Sequence, residues 1–159
     1  MIHPWSAGTK ISFLDWRSGV FIAASPVAGS MTVRGALAKL NNRDVRQRRR
    51  AVRHLFEMDD AEALQGFVGL LEDSDPWFRE KAMDAVKRWA ASKDLALFER
   101  LASSGERQKR VLAASISGRA GRAGEAILAG LCADSDEAIR LAAWAASYTH
   151  FRAHETSLH

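Results

Sequence analysis

The sequence predicts an all-α fold, an α-solenoid of about four antiparallel helix pairs with a repeat of about 31 residues. Two observations predict it. One short pattern recurs four times in step: an acidic residue, an arginine four positions later and an alanine three positions beyond the arginine. Apolar residues also recur at spacings of three and four on each side of the turn-rich segments, as they do on one face of a helix.

The recurring pattern predicts the second helix of each pair. The acidic residues, spaced by 31, 31 and 30 positions, are Asp44, Asp75, Glu106 and Asp136. The arginines are Arg48, Arg79, Arg110 and Arg140, and the alanines are Ala51, Ala82, Ala113 and Ala143. An acidic residue suits a helix start because its carboxylate accepts hydrogen bonds from free backbone N–H groups. Pro76 fits the first helical position, where its missing N–H costs nothing. The small alanine allows a neighbouring helix to approach closely.

Apolar residues upstream of each pattern predict the first helix of each pair. They are Val33, Leu37 and Leu40; Leu64, Phe67, Val68, Leu70 and Leu71; Leu95, Phe98, Leu101 and Ala102; and Leu128, Leu131 and Cys132. Segments rich in Asx, Ser or Gly separate the helices and predict turns. They are residues 41–43, 58–60, 73–75, 92–94, 103–105, 118–121 and 133–135. No single pair can bury its apolar face alone, but stacked pairs share one core.

Residues 71–82 resemble a HEAT repeat, whose usual pattern is leucine, aspartate, Asp-Pro, an apolar residue, arginine and alanine. The sequence there is Leu-Glu-Asp-Ser-Asp-Pro-Trp-Phe-Arg-Glu-Lys-Ala, and residues 131–143 repeat the pattern. The resemblance covers about residues 31–150. It implies the compact HEAT-like repeat, because the period is shorter than the usual repeat of about 40 residues. Such motifs specify a fold and say little about function.

The resemblance also implies a structural role for two arginines. In HEAT proteins an aspartate and an arginine six positions later form a polar ladder along the solenoid. Asp73 with Arg79 and Asp134 with Arg140 match those positions. The other two units depart from the pattern, because Asn42 precedes Arg48 and Ser104 precedes Arg110. The charged ladder is therefore left open in those two units.

The domain organisation predicted from the sequence has three parts. Residues 1–30 hold few charges and form an N-terminal appendage, which we expect to be poorly ordered or loosely docked. A signal peptide, a β-hairpin and an extension upstream of a start at Met31 are alternative interpretations. Residues 31–150 form the HEAT-like repeat domain, and residues 151–159 form a C-terminal tail.

Charge is unevenly distributed along the chain, whose net charge is +4. Residues 31–57 hold eight Lys and Arg and two acids, whereas residues 58–103 hold six and ten. Arg46, Arg49, Arg50 and Arg53 are spaced as one helix face and should repel one another there. In solenoids of this kind the second helices line the concave side. The predicted partner-binding residues are Arg46, Arg49, Arg50, Arg53, Trp77, Lys81, Lys87 and Arg88. The alternative is a solvated face balanced by the acids of residues 57–62.

The sequence favours a non-enzymatic scaffold that binds an acidic protein partner through this basic face. Binding of RNA or DNA is the alternative, and a HEAT-like lyase or another enzyme is a third hypothesis. The sequence shows no phosphate-binding glycine loop, metal-ligand cluster or Ser/His/Asp set, so no catalytic residue, cofactor or metal is expected. No small-molecule substrate is evident, and no apolar stretch is long enough to span a membrane. The single cysteine, Cys132, suggests a small buried side chain and is compatible with the cytoplasm.

Overall fold

The computed structural model describes residues 32–155, with side chains through residue 149. Those residues form eight α-helices and no strand. The helices are α1 (Val33–Lys39), α2 (Val45–Met58), α3 (Leu64–Leu70), α4 (Pro76–Trp89), α5 (Leu95–Ala102), α6 (Arg107–Ile116), α7 (Arg122–Cys132) and α8 (Glu137–Glu155). Short 3₁₀ helices at Ala61–Ala63, Ser92–Asp94 and Ser117–Ala120 adjoin α3, α5 and α6. The predicted appendage and the last four residues lie outside the described residues.

Consecutive helices pack in pairs, which confirms the predicted α-solenoid. We call α1–α2 unit 1, α3–α4 unit 2, α5–α6 unit 3 and α7–α8 unit 4; the two helices of every unit contact each other. Helix α6 also packs on α4 and α8, and α5 packs on α7. We call the contact of units 1 and 2 the first interface, that of units 2 and 3 the middle interface and that of units 3 and 4 the last interface. The final helix continues to Glu155, five residues beyond the predicted end of the repeat domain.

The second helices begin where the acidic residues predict. The carboxylates of Asp44, Asp75 and Asp136 each accept a hydrogen bond from the backbone N–H two residues later, at 2.8 to 2.9 Å. Pro76 occupies the first turn of α4, as expected. Glu106 is the exception: it precedes α6 without a side-chain cap. Its carboxylate instead accepts a hydrogen bond from Lys109 Nζ at 2.8 Å.

One continuous core runs through the described units. All four repeat alanines are fully buried, which confirms their predicted contact with neighbouring helices. The largest fully buried side chains are Phe67, Phe78, Phe98, Leu40, Leu55, Leu71, Leu101, Ile116, Leu128, Ile139, Val52 and Val86. Cys132 is free and only partly buried, packed against this core.

Three tryptophans of the described region differ in environment. Trp89 is buried, together with Phe78, Ala82, Ala85 and Val86 of the same helix. Its ring stacks on Phe56 with centroids 5.1 Å apart, and its Nε1 donates to Asp59 Oδ1 at 2.9 Å. Trp77, which the sequence suggested as an exposed contact residue, is half-buried and packs edge-on against Phe78. Trp144, in α8 of the last unit, is 65% exposed.

The connection between units 3 and 4 depends on two glycines. Gly121 has φ of 59°, a left-handed conformation that other residues adopt only with strain. Gly124 lies in α7 so close to the preceding turn that an added Cβ would be 1.8 Å from the carbonyl oxygen of Ser117. The predicted turn at residues 118–121 is therefore a tight 3₁₀ segment against which α7 packs directly.

Candidate interaction surface

The basic run of α2 does not form one uniform face. Arg46, Arg50 and Arg53 are exposed on the side of α2 opposite the buried residues Ala51 and Leu55. None of the three makes an ion pair with another residue in the part of the chain that the structure describes. We call these three arginines the α2 basic face.

Arg49 is separated from the α2 basic face and lies at the first interface instead. Its Nη2 is 3.2 Å from Asp75 Oδ2, and its guanidinium carbon is 5.2 Å from the centroid of the Trp77 ring. Its Nε is buried and has no hydrogen-bond partner among the described residues. Arg49 therefore differs from Arg46, Arg50 and Arg53, because its side chain is paired with an acid of unit 2.

The predicted contact residues of α4 are mostly engaged within the fold. Lys81 Nζ is 2.8 Å from Asp84 Oδ2, and Arg88 Nε is 2.7 Å from Asp59 Oδ1. The hydrogen bond with Asp84 outweighs the opposing effect of burial and raises the pKa of Lys81. Lys87 is exposed and forms no ion pair within residues 32–149.

Acidic caps also bind arginines across two of the interfaces. At the last interface Arg107 Nε is 2.6 Å from Asp136 Oδ2, which parallels the Arg49–Asp75 contact at the first interface. Arg119 donates from Nη1 to the Ala90 carbonyl at 3.0 Å. These cations contact groups of neighbouring units, although Arg107 and Arg119 are also exposed.

The ladder arginines pair with the aspartate of the next unit. Arg48 forms an ion pair with Asp73, and its guanidinium carbon lies 3.9 Å above the centroid of the Phe78 ring. Arg110 Nε is 2.9 Å from Asp134 Oδ2. Arg48 and Arg110 belong to the units with Asn42 and Ser104, for which the sequence left the charged ladder open. Both units therefore take part in the ladder, because each arginine binds the aspartate of the next unit.

Arg79 and Arg140 bind backbone in their own units. Arg79 Nη1 donates to the carbonyls of Asp73 at 2.7 Å and Ser74 at 3.0 Å. Arg140 Nη1 donates in the same way to the carbonyls of Asp134 and Ser135, both at 2.9 Å. Each arginine therefore binds the predicted aspartate through its backbone carbonyl. The carboxylate of that aspartate binds the arginine of the preceding unit instead.

The aspartates of the two ion pairs have lowered pKa values. Burial is the largest influence on Asp73 and raises its pKa, but hydrogen bonds from the Asp75 backbone and Arg48 together outweigh burial. At Asp134 the backbone N–H of Asp136 is the main cause, and Arg110 adds to it. Both carboxylates therefore remain charged well into acidic solution.

Lys109 is a buried cation at a position that other units use for the core. It stands three residues after the acidic cap, as Phe78 and Ile139 do, and it is only 4% exposed. Its Nζ is 2.7 Å from Glu72 Oε1 and 2.8 Å from Glu106 Oε1. Burial is the largest influence and lowers the Lys109 pKa, but the hydrogen bonds with the two glutamates outweigh it and raise the pKa above 10.5.

A groove of about 610 Å³ lies between α4 and α6 at the middle interface. Its lining is Leu71, Pro76, Arg79, Glu80, Met83, Lys87, Glu106, Arg107, Gln108, Lys109, Val111, Leu112 and Ser115. The volume is within the range of 300 to 1,000 Å³ typical of ligand sites. Of these residues the sequence pointed only to Lys87 as a contact, and it did not indicate the groove. The alignment of the repeats contained a signal for the groove, because it places Lys109 of unit 3 at the position that the buried residues Phe78 and Ile139 occupy in units 2 and 4.

Two further classes of site find no support within the described residues. No group of three or more His, Cys, Asp or Glu among residues 32–149 is arranged to hold a metal ion. None of the eight described helices combines the length and apolar character that crossing a bilayer requires.

Comparison with known proteins agrees with the architecture. A family model described as HEAT repeats matches residues 33–118. No curated protein matches the chain. HEAT repeats generally serve as scaffolds for protein interactions, and the family is typically non-enzymatic. With more than half of its length matched and four stacked helix pairs, the chain belongs to the HEAT-repeat family.

Proposed function

We propose that this chain is a non-enzymatic scaffold that binds an acidic protein partner on the α2 basic face. The observation that carries the proposal is that Arg46, Arg50 and Arg53 stay exposed on one side of α2 and form no ion pair with described residues. Arg49, Lys81 and Arg88 have carboxylate partners by contrast. Like charges three and four positions apart destabilise a helix by about 0.2–0.5 kcal/mol per pair. An acidic partner would relieve that repulsion.

The surroundings of the α2 basic face favour a protein over a nucleic acid. Binding of nucleic acid draws on many phosphate contacts along an extended basic surface. The α2 basic face is short, and residues 58–103 beyond it carry ten acids against six Lys and Arg. Complementary charges of limited extent instead suit a protein surface, where they guide association and orientation. The proposal places the scaffold in a reducing compartment such as the cytoplasm, with which a single cysteine, Cys132, is compatible.

The proposal is tested by charge reversal on the α2 basic face. The variant R46E/R50E/R53E should lose the partner proteins that the wild type captures from a native lysate. A matched variant, R34E/K39E/R43E, reverses the same amount of charge elsewhere on unit 1 and should retain them. Circular dichroism of both variants checks that the helices remain folded. Equal capture by wild type and the α2 variant would refute the proposal.

Nuclease treatment separates the nucleic-acid alternative in the same experiment. A protein partner should be captured equally with and without nuclease. If capture depends on nucleic acid, retention should fall steeply with salt. The logarithm of the binding constant should then decrease by about 0.7–0.9 per phosphate contact for each tenfold rise in salt concentration. That outcome would identify RNA or DNA, and not a protein, as the partner.

A further inference from the structure

Three ladder arginines lie at interfaces between described units, and only two of them have a carboxylate partner. Arg48 binds Asp73 at the first interface, and Arg110 binds Asp134 at the last interface. At the middle interface the equivalent pair would be Arg79 with residue 104, which is a serine. The middle interface therefore lacks one carboxylate that the other two interfaces contain.

The middle interface lacks the contact between units, whereas the local hydrogen bond of the ladder position is still formed. Asp73 Oδ1 and Asp134 Oδ1 each accept from the backbone N–H two residues later, at 2.9 Å. Ser104 Oγ accepts the same hydrogen bond from Glu106 N at 3.2 Å. Ser104 thus performs the local role of the ladder aspartate, but it offers no second oxygen to the arginine of the preceding unit.

Arg79 consequently has an open guanidinium edge. Its Nη1 binds two backbone carbonyls, just as Arg110 Nη1 binds the carbonyls of Ser104 and Gly105. Arg110 uses its remaining edge, Nε and Nη2, to bind both oxygens of Asp134. The same edge of Arg79 has no hydrogen-bond partner within residues 32–149, and Arg79 is half-buried in the wall of the groove.

The other buried cation of the groove does not compete for a ligand. Lys109 Nζ is already bound by Glu72 and Glu106. The hydrogen bond with Lys109 is the main cause of the lowered Glu72 pKa, and the charge of Arg79 contributes to it from nearby. Two glutamates thus neutralise Lys109, while Arg79 keeps a planar pair of donors that fits one carboxylate.

We propose that the groove at the middle interface binds an acidic side chain of a protein partner, which takes the place at Arg79 that Asp73 and Asp134 occupy at the neighbouring interfaces. The inference rests on the proposed function, since it names a second contact for the same class of partner. Leu71, Met83 and Val111 in the lining suit apolar side chains beside the acid. Glu80 and Glu106 in the same lining restrict the groove to a single acidic group held at Arg79, whereas a nucleic acid would bring successive phosphates against them.

The variant Ser104→Asp tests this inference, because it supplies the missing carboxylate from within the chain. Asn42→Asp is the matched control, since Asn42 occupies the same turn position in unit 1 and accepts from Asp44 N at 2.8 Å. The probe is a labelled amphipathic peptide of leucine, alanine and glutamate, compared with the same peptide carrying glutamine in place of glutamate. Fluorescence anisotropy measures binding to the full chain, and thermal unfolding measures the stability of each variant.

The wild type should bind the glutamate peptide more tightly than the glutamine peptide. S104D should weaken the glutamate peptide by about tenfold, the effect of losing one charged hydrogen-bonded contact, and should raise the unfolding temperature. N42D should leave both quantities unchanged. R79Q should weaken the peptide by a similar factor and gives a second route to the answer if S104D disturbs folding.

Unchanged affinity in both S104D and R79Q would overturn the inference, as would equal binding of the two peptides. An oligonucleotide that binds in place of the peptide and is lost in S104D would overturn the assigned ligand class. The two proposals fail separately. If R46E/R50E/R53E no longer captures the cellular partners while S104D still binds the peptide with wild-type affinity, the proposal for the α2 basic face is supported and the proposal for the groove is refuted.

Discussion

The first and middle interfaces differ in the residues that fill equivalent positions of the repeat. At the first interface Arg48 lies over the buried ring of Phe78 and binds Asp73. At the middle interface the equivalent positions hold Arg79, Lys109 and Ser104. Two residue changes thus replace an apolar ring and a carboxylate by a cation and a hydroxyl. The comparison shows that units of a solenoid can remain stacked when a carboxylate and an apolar ring at their interface are replaced.

The number of ion pairs also differs: among the described residues, three ion pairs join units 1 and 2, and one joins units 2 and 3. Two arginines of unit 1, Arg48 and Arg49, reach acids of unit 2 at the first interface. At the middle interface Lys109 of unit 3 reaches back to Glu72 of unit 2. Glu72 is 70% exposed, so this ion pair is open to solvent and screening on one side. We therefore expect the first interface to contribute more to stability than the middle one.

Phe78→Ala should produce the largest loss of stability. The ring is fully buried and Arg48 stacks on it, so its removal leaves a cavity and deprives the cation of its contact. We expect a loss of about 3–5 kcal/mol in the free energy of unfolding, measured by urea denaturation. Ile139→Ala, at the equivalent position of the last interface, should cost about 2–4 kcal/mol. A loss below about 1 kcal/mol for F78A would contradict the importance given to the first interface.

Arg48→Ala should cost more than Arg79→Ala. Removing Arg48 leaves the Asp73 carboxylate, whose side chain is only 13% exposed, without its cation. We expect a loss of about 2–3 kcal/mol for R48A. R79A should cost about 1 kcal/mol or less, because that side chain binds only carbonyls in its own unit. Equal losses in the two variants would remove the distinction between the first and middle interfaces.

Lys109→Met should change stability by about 1 kcal/mol or less, in either direction. Replacing a buried ionic group by an apolar side chain of similar volume is often neutral or stabilising. The two glutamates that lose their cation are more than half exposed and can be hydrated. Thermal unfolding of K109M against wild type measures the effect. A loss as large as that of R48A would mean that the Lys109 contacts stabilise the middle interface as strongly as the ladder stabilises the first.

The smallest expected effect is the acid dependence of the ladder. Asp73 and Asp134 have folded-state pKa values below the ordinary value of 3.8, so their contribution is present above that pH and is lost as the pH falls through the folded pKa values. The urea midpoint of the wild type should therefore drop more between pH 5 and pH 3 than that of the double variant D73N/D134N. Parallel decreases in the two proteins would show that other carboxylates govern acid unfolding.

The repeat register was the part of the fold that the sequence could predict. Helix caps and core positions depend on residues close in sequence, and so Asp44, Asp75 and Ala82 could be assigned from spacing alone. The direction of pairing between units could not be assigned, because an arginine long enough to reach its own turn also reaches the next one. The pairing of Arg48 with Asp73 spans 25 positions and depends on how the units stack.

The candidate site was less predictable than the fold. A helical wheel gives Arg49 the same side of α2 as Arg50, but the start of α4, with Asp75 and Trp77, lies beside Arg49 and holds it. The exposure of Trp144 depends likewise on whether another helix covers α8, and spacing within a helix carries no such information. The roles of the α2 basic face and of the groove remain predictions.

The aromatic contacts of Trp89 make this residue an optical reporter of one part of the solenoid. Its indole is buried against Phe56 and Phe67 and donates to Asp59, so its emission should shift to longer wavelength when units 1 and 2 separate. Trp144 is already 65% exposed and should respond little to unfolding. Because each unit contacts only its neighbours, a solenoid can lose units one at a time. In a variant that keeps Trp89 and replaces the other four tryptophans by phenylalanine, comparing the emission with the far-ultraviolet circular dichroism of all helices would reveal whether the chain unfolds in one step or unravels from one end.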